Sequence, residues 1–159
     1  MYAEGLHRRN RIAIRFLCVL LPLLTGTVFY LFFDAHTVFS AQMRRLFPAI
    51  SQLYISDAWT DRPAFRLCRN YLCDFCWAFS LESSVLLLLG CRRHGLIRSV
   101  GITLLLSGTL ETLQKTALIR GTFDPADILT ETIAILVAGF ILYYFGGKGS
   151  LKPTHDKKA

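Results

Sequence analysis

The sequence lacks the combinations of residues from which most metal, redox and nucleotide sites are built. Its four histidines are scattered, and Cys73-x-x-Cys76 has no second Cys or His pair to complete a zinc or redox centre. Cysteines inside apolar segments more often serve as small apolar side chains. The Gly-Gly-Lys-Gly run from Gly146 lacks the phosphate-loop pattern, and no nucleophile elbow is present. We therefore predict no metal site and no cofactor.

Charged residues are also scarce, at 18% of the 159 residues, whereas 53% are hydrophobic and the mean hydropathy is +0.42. The apolar residues gather in four long blocks, each near the ~20 residues that a helix needs to cross a bilayer. A soluble domain would instead distribute them at helix or strand periods. The sequence thus predicts an all-α integral membrane protein with four transmembrane helices. Residues 1–146 would form one membrane domain with spans at about 12–33, 65–90, 97–115 and 127–145, followed by a basic, disordered tail, 147–159.

The net charge of +7 follows the ends of the apolar blocks, which indicates membrane topology rather than a nucleic-acid surface. Eleven of the 18 Lys and Arg residues precede the first span, join the second to the third, or follow the fourth. The other side holds most of the loop acids. This bias predicts a multi-pass protein of the bacterial inner membrane with both termini in the cytoplasm. Its expected partners are membrane lipids and an envelope precursor, not nucleic acid, and a homo-oligomer is left open.

The segment between the first two spans has an amphipathic pattern. From Met43 to Tyr54, apolar residues recur at three- and four-residue spacing, which predicts a helix on the outer membrane surface. It is interpreted either as a lid that contacts lipid or as a helix that packs over the bundle. Asp61-Arg62-Pro63 then predicts the start of the second helix.

Polar side chains interrupt the outer ends of three predicted spans. Acidic groups inside a membrane are costly, so they are usually paired and functional. Asp124 and Asp127 also suit a helix start, which is a structural alternative for them. Glu82, nearer the middle of the membrane, is either a buried titrating group or a carboxyl group that is hydrogen-bonded to Ser83, Ser84 or a neighbouring helix. The candidate ligand-binding residues are Asn70, Asp74, Trp77, Glu111, Gln114, Arg120, Asp124, Asp127 and Glu131.

The order of these residues resembles a known family. Glu111-x-x-Gln114, then Arg120, then Asp124-x-x-Asp127 is similar to the C-terminal pattern of the VanZ-like family of small bacterial membrane proteins. The resemblance implies a cell-envelope protein. It implies no particular reaction, because the biochemistry of the family is largely unassigned.

A second motif extends this resemblance. Asp74-x-x-Trp77 resembles the start of the second span in an uncharacterised VanZ-like subgroup, so the similarity covers roughly residues 70–140. The chain departs from the family pattern at Glu131 and Ala134, where the family usually has Asn and Gly. If that Asn hydrogen-bonds across the bundle, Glu131 replaces it either as a protonated acid or paired with Arg120.

Three functions suit a polar site at the outer leaflet. The first is binding of a lipid headgroup or envelope precursor, with Arg120 meeting an anion and the carboxylates meeting hydroxyl groups. The second is an enzyme acting on lipid-linked substrates, with Glu111 or Asp127 as general base or as ligands of a divalent cation. The third is a small proton-coupled carrier that uses Glu82 and Glu111. A purely structural polar cluster is the remaining alternative.

Overall fold

The structure, a computed structural model, describes residues 2–33, 42, 45–48, 63–116, 118 and 124–147, with side chains for 13–29, 42, 45–48, 71–116, 118 and 124–145. Four long helices account for most of these residues: α1 (Tyr2–Phe33), α2 (Pro63–Leu89), α3 (Arg93–Lys115) and α4 (Pro125–Gly147). The all-α prediction is confirmed for the described residues. Most of the predicted amphipathic segment and the predicted tail beyond Gly147 lie outside them.

Three helical segments are long and apolar enough to cross a membrane: Tyr71–Leu89, Arg93–Lys115 and Pro125–Phe145. They coincide with the second, third and fourth predicted spans. In α1 the described apolar segment, Ala13–Phe29, is shorter than the ~20 residues that a helix needs to cross a bilayer. The first span therefore stays a prediction.

Local sequence signals fix where two of these helices begin. Proline occupies the first position of both α2 and α4, where its missing N–H would have no helical partner. Before α4, the Asp124 carboxylate accepts a hydrogen bond from the Ala126 N–H at 2.9 Å, and the Asp124 carbonyl accepts one from the Asp127 N–H at 3.0 Å. The capping interpretation of Asp124 is thus confirmed.

A tight turn joins α2 to α3. Gly90 adopts a positive φ of 84°, which a residue without Cβ reaches at little cost, and its N–H bonds to the Leu86 carbonyl at 2.9 Å. Gly95, on the first turns of α3, lies so close to the Gly90 carbonyl that a Cβ at this position would overlap it. Two glycines therefore allow α3 to reverse direction directly beside α2.

Helix α2 is central, because it packs against each of the other three helices. On the α1 side, the Ser80 hydroxyl donates to the Val19 carbonyl at 2.8 Å and the Cys73 thiol to the Gly26 carbonyl at 3.8 Å. Residue numbers rise along α1 as they fall along α2, so the two helices are antiparallel. The described start of α1 therefore lies at the same end as the α2–α3 turn.

Small side chains let α2 and α4 approach closely. Their contact is built on a buried cluster that Cys18 of α1 and Val100 of α3 also touch. Close approach through small residues is how helices associate in lipid, where burial of apolar surface gives no driving force. A second cluster, formed by Leu86, Cys91 and Leu142, lies at the end of the bundle near the α2–α3 turn. The cluster between α2 and α4 consists of Ala78, Phe79, Ala134, Ile135 and Ala138.

The outer surface of the helices is apolar. Leu105 is 71% exposed and Phe140 is 66% exposed, and many other large apolar side chains point outward in the same way. Buried polar side chains lie between the helices instead. An exposed apolar surface this extensive is unusual for a water-soluble monomer and is the character of a helical membrane protein.

Candidate functional site

The buried face of α3 carries only small or polar residues. It consists of one residue in every four, Gly95, Ser99, Thr103, Ser107 and Glu111, and this spacing keeps all five on one side of the helix. Leu105, Leu106 and Leu110 face outward, whereas Leu96 and Leu104 pack against the buried clusters. We call the hydroxyl residues Ser99, Thr103 and Ser107 the hydroxyl ladder.

At the end near the start of α4, the ladder meets a buried carboxyl group. The Ser107 hydroxyl donates a hydrogen bond to Oε2 of Glu131, which links α3 to α4. Glu131 is buried, and it follows Asp127 by four residues, so the two carboxyl groups lie on the same side of α4.

Glu111 lies one turn above Ser107 on the same face. It is only 5% exposed, and its Oε2 atom is buried with no hydrogen-bond partner among the described residues. A buried carboxylate oxygen without a donor is costly, so this atom is a strong candidate for contact with a ligand or water.

Asp74 of α2 completes a group of carboxyls. It is half-buried and lies within electrostatic range of Asp127, Glu131 and Glu111. Three helices therefore bring four carboxyl groups together at one end of the bundle. We call Asp74, Glu111, Asp127 and Glu131 the acidic cluster. Coulombic repulsion within it is relieved by hydrogen-bond donors or positive charge placed among the carboxyl groups.

The structure places the other candidate residues around this cluster or away from it. Asp124 is exposed and caps α4, and Gln114 is half-buried near the end of α3. Trp77 is 44% exposed, on the outside of α2. Asn70 lies on α2, but its side chain is outside the described part, as is the whole of Arg120.

Glu82 occupies a separate position in the interior. It is fully buried, and its two oxygens accept hydrogen bonds from α3, Oε1 from the Ser99 hydroxyl at 2.6 Å and Oε2 from the Thr103 hydroxyl at 2.7 Å. Glu82 follows Asp74 by eight residues, so it lies about 12 Å further along α2. Of the two interpretations of Glu82, hydrogen bonding to a neighbouring helix is the contact that the structure shows.

Sequence reasoning missed the hydroxyl ladder and chose a different face of α2. The four-residue spacing from Gly95 to Glu111 was the available signal, but the leucines between these residues hid it. On α2, Asp74 and Trp77 were selected together as candidates, but Trp77 is 44% exposed. The residues four and eight positions after Asp74, Ala78 and Glu82, are buried.

The Cys73-x-x-Cys76 pair packs against α1. Both cysteines are buried, and a Cβ placed at Gly26 would lie 3.2 Å from Cys76 Cβ. The pair thus fills a narrow contact between two helices, as small apolar residues do. Within the described residues, no group of three or more His, Cys, Asp or Glu side chains is arranged to hold a metal ion.

Comparisons with protein-family models, with curated proteins and with solved structures found no match. The class of the protein therefore rests on its own features. It is a helical chain with three segments of membrane-spanning length, an apolar outer surface and carboxyl groups between its helices.

Proposed function

We propose that this chain is a VanZ-like, four-span protein of the bacterial envelope whose acidic cluster binds a polar headgroup. The observation that carries the proposal is the buried, unpartnered Oε2 of Glu111 beside carboxyl groups from two other helices. The order of Glu111, Gln114, Asp124 and Asp127 supports the family assignment, which rests on sequence resemblance alone.

The chemistry of the cluster defines the ligand. Its carboxylates accept hydrogen bonds and carry negative charge, so the bound group must supply ammonium or hydroxyl donors. Headgroups of aminolipids and of lipid-linked sugar precursors both do so. The phosphate that accompanies such headgroups would be attracted by the basic residues that follow Glu111 in the sequence, Lys115 and Arg120. A position at the end of the bundle suits a ligand whose acyl chains remain in the membrane.

The helix directions support the proposed topology. Helices α1 and α2 are antiparallel, α2 and α3 form a hairpin, and α3 and α4 are also antiparallel, because Glu131 meets Ser107 whereas Gly139 meets Leu96. The start of α1 and the end of α4 then share one end of the bundle. The sequence segments that adjoin that end hold the excess of Lys and Arg, so the positive-inside rule supports our proposal of cytoplasmic termini and an acidic cluster at the outer side.

The test is native mass spectrometry of the protein extracted from its own membrane, compared with Glu111→Gln. We expect a discrete lipid or glycolipid to be bound to the native protein and lost from Glu111→Gln. The glutamine amide carries no negative charge, and its N–H group would face the hydrogen-bond donor of the headgroup. The mass distinguishes an aminolipid from a lipid-linked sugar.

The matched control is Glu82→Gln, which makes the same chemical change about 12 Å away and should keep the lipid. If the native protein carries no specific lipid, or if Glu111→Gln keeps it, the proposed function is wrong. Loss of the lipid in both variants would also contradict it, since the effect would then not depend on the acidic cluster.

A further inference from the structure

Glu82 receives less hydrogen bonding than its two contacts suggest. The Ser99 hydroxyl donates to Glu82 Oε1 at 2.6 Å and also lies 3.0 Å from the carbonyl oxygen of Leu96. A hydroxyl group has one proton to donate, so Oε1 shares the Ser99 proton with that carbonyl. Oε2 accepts from Thr103, and this leaves a buried carboxyl group with fewer than two full donors.

The surroundings of Glu82 agree with a neutral acid. The side chain is fully buried and forms no ion pair with any described residue. On α4, Oε1 faces Gly139, where an added Cβ would lie 3.6 Å away. An ionised carboxylate isolated in this way would carry a large desolvation cost. By the register of α1 on α2, Cys18 lies at about the level of Glu82 and Arg15 about one turn away. Arg98 precedes Ser99 on α3 but is exposed. The other ionisable groups of the packed helices lie further along them: Asp74 on α2, His94 and Glu111 on α3, and Asp127 and Glu131 on α4.

The hydroxyl ladder runs along α3 from Glu82 to the acidic cluster. Thr103, which donates to Glu82, lies one turn from Ser107, which donates to Glu131. The rise between these two ladder residues is about 6 Å, a gap that one bridging water can fill. At the opposite end, the apolar cluster of Leu86, Cys91 and Leu142 closes the bundle.

We propose that Glu82 is a proton-binding site that is loaded from the acidic cluster through the hydroxyl ladder. A proton arriving from water at the cluster passes to Ser107, then through the bridging water to Thr103, and the Glu82 carboxylate takes it up as the acid. Each hydroxyl accepts one proton as it gives up another, so only Glu82 and the donor at the cluster change charge. Access is from one end only.

The experiment is infrared spectroscopy of the full chain in lipid vesicles at neutral pH. We expect a carboxylic-acid C=O band that is lost in Glu82→Gln and that shifts when the vesicles are transferred to D₂O. Ser107→Ala should slow this exchange about tenfold, which corresponds to roughly 1.4 kcal/mol in the barrier. Thr109→Ala is the control, because Thr109 is an exposed hydroxyl on the same helix that bonds to its own backbone at Leu105. It should leave the rate unchanged.

The Gln variant should fold, since its amide can donate to Ser99 and accept from Thr103. If it does not fold, Thr103→Val replaces it as the test, because loss of the bond to Oε2 must shift the Glu82 band. An acid band that is absent, or that neither substitution alters, shows that Glu82 is ionised and overturns the proposal. Equal exchange in Ser107→Ala and the native chain overturns the loading route. Neither result depends on whether the acidic cluster binds a lipid.

Discussion

Replacing Asp74 by Asn should stabilise the ligand-free protein while weakening its binding site. Asp74 interacts electrostatically with Asp127, Glu131 and Glu111, and none of the described residues donates a hydrogen bond to its side chain. The substitution therefore removes repulsion and loses no described contact. Two unit charges within electrostatic range interact with roughly 1–4 kcal/mol at an effective dielectric constant of about 20.

Because Asp74 is only half-buried, solvent reduces that value. We expect Asp74→Asn to raise the free energy of unfolding by about 1–2 kcal/mol. In a chain of this size, each kcal/mol corresponds to a rise in Tm of about 2–4 °C. The assay is thermal unfolding of delipidated protein in detergent, followed by lipid occupancy in native mass spectra. Stability should rise while occupancy falls, as is common where a site is maintained at the expense of stability.

Asp124→Ala is the control with the opposite sign. It also removes a negative charge at this end of α4, but it abolishes the helix cap on the Ala126 N–H. Loss of such a cap costs about 1 kcal/mol, so unfolding should become easier. If Asp74→Asn destabilises the protein as Asp124→Ala does, Asp74 has a structural role and the repulsion argument is wrong.

Two further predictions concern packing and are checked by the same unfolding assay. Gly95→Ala should lower the free energy of unfolding by about 1–3 kcal/mol, because the new Cβ overlaps the Gly90 carbonyl. The control is Gly101→Ala, which should be neutral or slightly stabilising because no atom lies within 4 Å of the new Cβ. Equal effects of the two substitutions would contradict the close turn. Ser80→Ala should lower the free energy of unfolding by about 0.6 kcal/mol, the average for a hydrogen bond between membrane helices, because it removes the bond to the Val19 carbonyl. An unchanged stability would show that this bond does not stabilise the packing of α1 on α2.

The course of α2, α3 and α4 along the chain could be predicted because several independent signals agree. Apolar length predicted four spans, and for three of them the structure describes a helix that is long and apolar enough to cross a membrane. Asp124-Pro125 predicted the start of α4 through capping and the missing proline N–H, and the cap is present. Such local chemistry depends on neighbouring residues, so one sequence is enough to recognise it.

The faces of the helices were harder to predict. In a water-soluble protein, apolar residues mark the buried side, but in a membrane the lipid-facing side is apolar as well. The leucines of α3 therefore suggested no orientation, and its buried face is marked by Ser99, Thr103 and Ser107 instead. The acids Glu111 and Glu131 could be selected as candidates because charge inside a membrane is rare, but their partners could not be identified without the packing.

The two departures from the VanZ-like pattern are conservative in physical terms. At Glu131, the side-chain oxygen accepts a hydrogen bond from Ser107, which the oxygen of an asparagine could also accept. Ala134 is completely buried where α2 and α4 touch, so the position still carries a small residue. The difference that matters is charge, because a carboxyl replaces a neutral amide among three other acids. If the chain is VanZ-like, its headgroup site is more acidic than the family pattern implies, and its ligand should carry more positive charge.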